Sequence, residues 1–364
     1  MRFDLIVVGA GLCGATVAER AARQLGMSVL VVERRRHIAG NAYDEYDEHG
    51  LFIHRYGPHI FHTNSERVFH YLSQFTSWRI YQHRVRAMVD GQLVPVPVNL
   101  DTIAALYHVS VDEPRLPSLI QQDIVAVPRV ENSRDVVVSR MGTRVYEKIF
   151  KNYTKKQWGL NPEALAPSVC GRIAIRMNRD DRYFTDRYQG IPSHGYTKMV
   201  ERMLSHPNIH ILLGTDFREL RGSIDYDTLV WTGPIDEYYD FRFGKLPYRS
   251  LSFQLAYHDT EFVQPVATIN WPNEYDFTRV TEMKHLTGQS HSKTVLMYEF
   301  PQSDGDPYYP VPSDESQRLY LQYQTLARKE ERVHFLGRLG TYQYYNMDQV
   351  VAQALHFVDT VLAR

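Results

Sequence analysis

The chain has 364 residues, enough for more than one hydrophobic core. With 43% hydrophobic and 23% charged residues it is globular in composition, and a formal net charge of −1 excludes the overall basic character of a nucleic-acid or acidic-membrane binder. Two cysteines, Cys13 and Cys170, supply neither a disulfide framework nor metal spacing, so a reducing, cytoplasmic protein without a metal is expected.

In chain order, the first element is a short β-rich run at 3–8, as for a buried parallel strand. It leads into G-A-G-L-C-G at 9–14, a G-x-G-x-x-G made by Gly9, Gly11 and Gly14. A helix is expected at 15–25, then a second strand at 27–32 ending on Glu33. Strand, glycines, helix, strand and terminal acid follow the order of a dinucleotide fold. There the glycines let the backbone approach a pyrophosphate, and the acid accepts from ribose hydroxyls. The apolar run 5–18 is broken by these glycines and lacks a basic leader, so it is not read as a signal peptide. No run reaches membrane-spanning length.

Residues 54–64, H-R-Y-G-P-H-I-F-H-T-N, are dense in histidine and aromatics. His59 and His62 have no third ligand pattern beside them, so no metal is expected. Alternation at 84–98 predicts strands, whereas 100–107, 118–125 and 136–150 pattern as helices. The stretch N-Y-T-K-K-Q-W-G at 152–159 shows no apolar periodicity, and its two lysines, Lys155 and Lys156, are expected to be solvent-facing spacers. A strand at 229–231 closes on Thr232-Gly233. Strands follow at 250–257, 263–269 and 294–300. The late unit V-H-F-L-G-R-L-G at 333–340, followed by an amphipathic helix at 348–362, favours FAD over NAD, because FAD folds cover the flavin with C-terminal residues. The 25 tyrosines suit sugar and phosphate ligands as well as cores.

The expected class is α/β. A discontinuous Rossmann-like FAD-binding domain would take 1–78, 190–243 and 312–364. A helical domain inserted at 100–175 would carry a mobile substrate loop, and an antiparallel β-sheet domain would take 79–99 and 244–311.

G-P-H-I-F-H-T at 57–63, Y-T-K-K-Q-W at 153–158, G-R-I-A-I-R at 171–176 and D-R-Y-Q-G-I-P at 186–192 occur in one order with T-G-P-I-D at 232–236 and P-Y-Y-P-V at 307–311. Over nearly its whole length the chain resembles the bacterial UDP-galactopyranose mutases. Ala39 departs from that pattern, standing where the family's turn usually has glycine. The resemblance implies a flavin-dependent isomerase that interconverts UDP-galactopyranose and UDP-galactofuranose through a covalent adduct on N5 of reduced FAD. It implies no net redox, UDP as leaving group, an external reductant such as NAD(P)H, and a homodimer or higher homo-oligomer that supplies galactofuranose for surface glycans.

The resemblance also assigns residues. Arg172 and Arg279 would hold the diphosphate, as catalytic cations that stabilise the departing UDP. Tyr153, Tyr183, Tyr309 and Tyr344 would bind diphosphate or uridine, with Phe150 and Asn270 at the uridine end. Thr154 and Trp158 would touch substrate, and His83 would lie on the substrate side. His62 would face the flavin and orient it or handle protons. Around FAD the resemblance places Leu12, Arg34, Gly40, Asn41, His59 and Ile60, then Asp216 and Phe217. Arg338 and the turn of Tyr345, Asn346, Met347 and Asp348 would complete that site. Arg172 would ride on a loop that closes over substrate.

Two other readings remain open. A flavin oxidase of the amine-oxidase type shares the FAD architecture, consumes oxygen and has little need of paired arginines. A flavin-binding redox sensor or scaffold needs no diphosphate site.

Overall fold

A computed structural model of the chain describes residues 2–112 and 114–363. Its first layer is a five-stranded parallel sheet in the order Ile209–Leu213, Val29–Glu33 (β2), Arg2–Val8 (β1), Asp225–Trp231, Val333–Phe335. The two central strands are nearly continuous in Val, Leu and Ile because both of their faces are covered. The helix Leu12–Leu25 (α1) packs on one face, its Val17, Ala18, Ala21 and Ala22 buried against Met199, Met203, Val351 and Leu355. The C-terminal helix Met347–Phe357, continued by a wider turn at Val358–Leu362, supplies the last two of these. N-terminal, central and C-terminal segments therefore share one core.

The second layer is a seven-stranded, mostly antiparallel sheet in which Tyr248–His258 and Thr294–Gln302 form the longest pair, near one edge. Next come Arg279–Glu282, Thr268–Asn270 and the hairpin Val85–Val89/Gln92–Val96. Helices Leu100–Tyr107, Leu116–Asp123, Ser133–Met141 and Lys151–Trp158 pack over this hairpin around a core of their own. A small sheet joins Phe61–Thr63 to Tyr188–Pro192.

Three local expectations change. The 136–150 helix is interrupted at Gly142, whose φ of 86° no helix accepts. The strand expected over 263–269 shrinks to Thr268–Asn270, since the N–H groups of Val263 and Gln264 donate to the buried Glu282 carboxylate and Pro265 has no N–H to give a ladder. Residues 151–158, without apolar periodicity in the sequence, are a helix closed by Gly159 in the left-handed conformation. None of the described helices is long and apolar enough to cross a membrane.

Candidate active site

A cavity of about 230 Å³ lies at the C-terminal end of the parallel sheet. Its floor is the glycine turn. Gly9 has φ 105°, and a Cβ there would stand 2.1 Å from Thr232 Oγ1. A Cβ on Gly40 would stand 3.0 Å from the Gly11 Cα, so the two loops approach more closely than side chains allow. α1 begins with no side-chain cap and no acid in its first turn, which leaves its N–H groups for an anion. Glu33 ends β2 with its carboxylate held by the N–H groups of Ala10 and Arg35, each at 2.9 Å. These are the features a dinucleotide's diphosphate and ribose require, so the residues fit a dinucleotide cofactor.

Leu12, Arg34, Asn41, Asp216, Phe217, Gly233 and Tyr345 also line this cavity. Gly14 does not; a Cβ there would meet the Gly9 carbonyl at 2.0 Å, so its place is in packing α1 on β1. Asp348 also lies outside, accepting from Thr63 Oγ1 at 2.8 Å and thereby tying the C-terminal helix to the Phe61–Thr63 strand. Burial pushes the Cys13 thiol up to about 12, which makes it an inert packing residue.

The larger cavity is about 520 Å³. The helix Lys151–Trp158 presents Tyr153, Thr154, Gln157 and Trp158 to it, with Phe150 just before. Asn270 and Arg279 face each other across paired strands. Arg172, Tyr183, His83, Tyr309 and Tyr344 arrive from separate segments and complete its wall. Ile60 and His62, expected beside the cofactor, line this larger cavity and not the smaller one. His59, Arg338, Asn346 and Met347 border both cavities, which places the two spaces side by side.

Charge in the larger cavity favours an anion. Among the described lining residues, Arg172, Arg176, Arg279 and Arg338 face two acids, Asp186 and Glu299. Arg279 is clamped by Glu299, Nη2 at 2.8 Å and Nε at 3.0 Å, and its Nη1 has no partner among the described residues. The Arg172 guanidinium lies 4.9 Å from the ring centre of Tyr344, and Arg338 lies 5.1 Å from the same ring. Tyr309 and Tyr344 stack at 5.4 Å, with Trp158 at 6.2 and 6.4 Å from them. Burial, then Arg279 and His62, pushes His83 down to about 3; burial and His54 do the same for His59. Both imidazoles are neutral at ordinary pH.

Sequence reading missed three groups here. Glu299 left a faint trace as a lone acid in the apolar strand Thr294–Gln302. Asp186 sat inside a quoted motif without a role. Lys156 is no spacer: its Nζ donates to the carbonyls of Trp271, Glu274, Tyr275 and Phe277. Lys155 is exposed, as expected. Among the described residues no group of three His, Cys, Asp or Glu side chains could hold a metal.

Residues 148–344 match the sequence pattern of the UDP-galactopyranose mutase family, and 7–75 match an NAD(P)-binding Rossmann-like domain. The chain is 35% identical to a probable UDP-galactopyranose mutase of Klebsiella pneumoniae, over 99% of this chain and 95% of that protein. It is also 35% identical to a dTDP-fucopyranose mutase of Escherichia coli, over 96% of each. Identity to a UDP-galactopyranose mutase of Mycoplasma pneumoniae is 33%, over 99% and 96%. The fold is similar to a crystal structure of a reduced UDP-galactopyranose mutase, with a TM-score of 0.82, 16% identity, and 99% and 96% of the chains covered. It is more distantly similar to a redesigned putrescine oxidase, with a TM-score of 0.62, 14% identity, and 100% of both chains covered.

Proposed function

The chain belongs to the UDP-galactopyranose mutase family, and on that premise we propose that it interconverts UDP-galactopyranose and UDP-galactofuranose with reduced FAD as its cofactor. The observation that supports this most is the adjacency of the two cavities: a dinucleotide cradle borders an arginine- and tyrosine-lined chamber through His59, Arg338, Asn346 and Met347. Reduced FAD in that cradle would supply an electron-rich nitrogen as nucleophile toward the anomeric carbon. Gly11, Glu33 and Asn41 are the residues that would hold it.

The chain's own residues carry the rest. Arg279, fixed by Glu299 along one edge, keeps its other edge for a phosphate oxygen, and Arg172 takes the second phosphate. Together they stabilise the charge that builds on UDP as the glycosyl bond breaks. Tyr153 and Tyr183 hydrogen-bond the diphosphate, while Phe150 and Asn270 hold the base. Trp158 and the Tyr309–Tyr344 stack keep water from the sugar. A chamber with four guanidiniums repels a cationic amine, which argues against the amine-oxidase reading.

The test is turnover of UDP-galactofuranose with the flavin oxidised and then chemically reduced. Isomerisation only after reduction, with no reductant consumed per turnover, is expected. Stoichiometric oxidation of NADPH coupled to product would overturn the reading. A second reading, the same ring contraction on a dTDP-6-deoxyhexose, is favoured by the equal identity to the dTDP-fucopyranose mutase. Comparing kcat/KM for the two nucleotide sugars decides between them.

A further inference from the structure

Gln157 carries a carboxamide that nothing in the protein satisfies. The residue is 5% exposed, it lines the larger cavity, and its Oε1 is buried without a partner. Its Nε2 also meets no hydrogen-bond partner among the described residues. The backbone holds it there. Its carbonyl accepts from Arg249 Nε at 2.9 Å, and Arg249 Nη1 in turn donates to Ser303 Oγ at 2.9 Å. A buried, unpaired amide is destabilising, and a ligand that pairs with it recovers what was lost.

Chemistry and position narrow that ligand group. A carboxamide offers both a donor and an acceptor, whereas an ionised diphosphate only accepts and leaves Oε1 unsatisfied. A hydroxyl does both. Along the helix axis Gln157 stands about 6 Å beyond Tyr153 and about 10 Å beyond Phe150, next to Trp158. With the base at Phe150 and the diphosphate at Tyr153, this is the hexose end. Gln157 borders only the larger cavity, unlike His59, Arg338, Asn346 and Met347, so it meets the hexose away from the reacting C1. The C4 hydroxyl is consumed in ring contraction, which leaves the hydroxyls on C2, C3 and C6.

We propose that the Gln157 carboxamide pairs with one of these non-reacting hydroxyls and is the residue that selects hydroxylated hexoses over the corresponding deoxyhexose. This inference rests on the functional reading above. A sugar lacking that hydroxyl displaces water from the amide and puts nothing in its place, which is how a buried polar group rejects an analogue.

The test compares UDP-galactofuranose with its 2-, 3- and 6-deoxy forms on the reduced holoenzyme. For one of the three, wild type should prefer the parent sugar in kcat/KM by about 10- to 100-fold more than Gln157→Met does. The other two preferences should change by less than about two-fold between the proteins, so the arms identify the hydroxyl. Gln157→Leu, equally apolar but of different shape, should behave alike. With oxidised holoenzyme, both variants should bind UDP within about two-fold of wild type and UDP-galactopyranose about 10-fold more weakly. The thermal midpoint of the ligand-free holoenzyme should hold or rise, because an unpaired buried amide has given way to an apolar side chain.

Three unchanged preferences in both variants overturn the proposal, as does UDP binding weakened as much as UDP-galactopyranose binding. A lower midpoint with equal loss on every sugar assigns Gln157 to packing and overturns it too. Failure of the isomerase reading looks different: wild type would turn over no nucleotide sugar, with the flavin reduced or oxidised.

Discussion

Ala39 has φ 71°, a left-handed backbone that costs an L-residue about 1–2 kcal/mol, and its N–H donates to the Ala10 carbonyl at 2.9 Å beside the glycine turn. Relief of that strain in Ala39→Gly is opposed by a looser unfolded chain and by loss of a buried methyl, about 0.4–1 and 0.8 kcal/mol. Stability should therefore change by less than about 1 kcal/mol. In Ala39→Val the branched Cβ makes the same backbone far less favourable, and about 2 kcal/mol or more should be lost together with flavin affinity. Urea unfolding and flavin titration measure both; a Val variant as stable as wild type would contradict the assigned turn. The departure from glycine was legible in the sequence. That the residue sits in the left-handed region was not, because a one-residue conformation depends on where the next loop must go.

The helix Lys151–Trp158 and the loop between strands Thr268–Asn270 and Arg279–Glu282 act as one unit. Lys156 binds four carbonyls of that loop, Asn152 Nδ2 donates to Asn273 Oδ1, and Asn273 Nδ2 donates to the Lys148 carbonyl. Arg249 closes the helix by donating to the carbonyls of Gln157 and Lys156. Burial pushes the Lys156 ammonium down to about 8, with Glu274 and Asp276 opposing. The clasp sets the wall holding Tyr153 and Trp158 against the strands holding Asn270 and Arg279. In Lys156→Met three partly buried carbonyls and one exposed carbonyl lose their donor, at about 1 kcal/mol in all because water replaces part of it. The thermal midpoint should fall, and KM for the nucleotide sugar should rise about 10-fold with little change in kcat. Lys155→Met, at an exposed position, should leave both as they are. Equal effects of the two variants in calorimetry and steady-state kinetics would contradict the clasp. Adjacent lysines in the sequence look alike; a helical turn sends one to solvent and the other into a ring of carbonyls.

At the scale of the whole molecule, the pH dependence of stability is set by buried titratable groups. Asp236 accepts from the Leu246 N–H at 2.9 Å, while its Oδ1 and the nearby Tyr248 hydroxyl are buried without partners among the described residues. Burial raises the Asp236 carboxyl to about 6, with hydrogen bonds opposing. A folded pKa above the unfolded value contributes stability below about pH 4, and that contribution is lost as pH rises through 6. At neutral pH the buried charge then costs on the order of 2 kcal/mol. His54, His59 and His83, pushed down by burial to about 4, 3 and 3, act in the opposite sense and remove stability as pH falls below about 6.5. Asp236→Asn should be more stable than wild type at pH 7.5, and the gap should close towards pH 4. Urea unfolding of both proteins from pH 4 to 8 checks this, and a gap that does not vary with pH would mean that Asp236 titrates normally.

Local order was legible in the residues. The glycine spacing, the strand–helix–strand succession into Glu33 and the late C-terminal unit describe neighbours along the chain, and hydrophobic periodicity carries that information without a partner. The residues expected to wall the larger cavity were legible because their motifs resemble a known family. The partners were not. His62 meets Asp186 from 124 positions away, and Lys156 meets Trp271 from 115. Arg279 meets Glu299 because two strands happen to lie in that register. Such pairings are set by how sheets align and helices seat, which is why only the folded chain showed which carboxylate meets His62 and which lysine is bound.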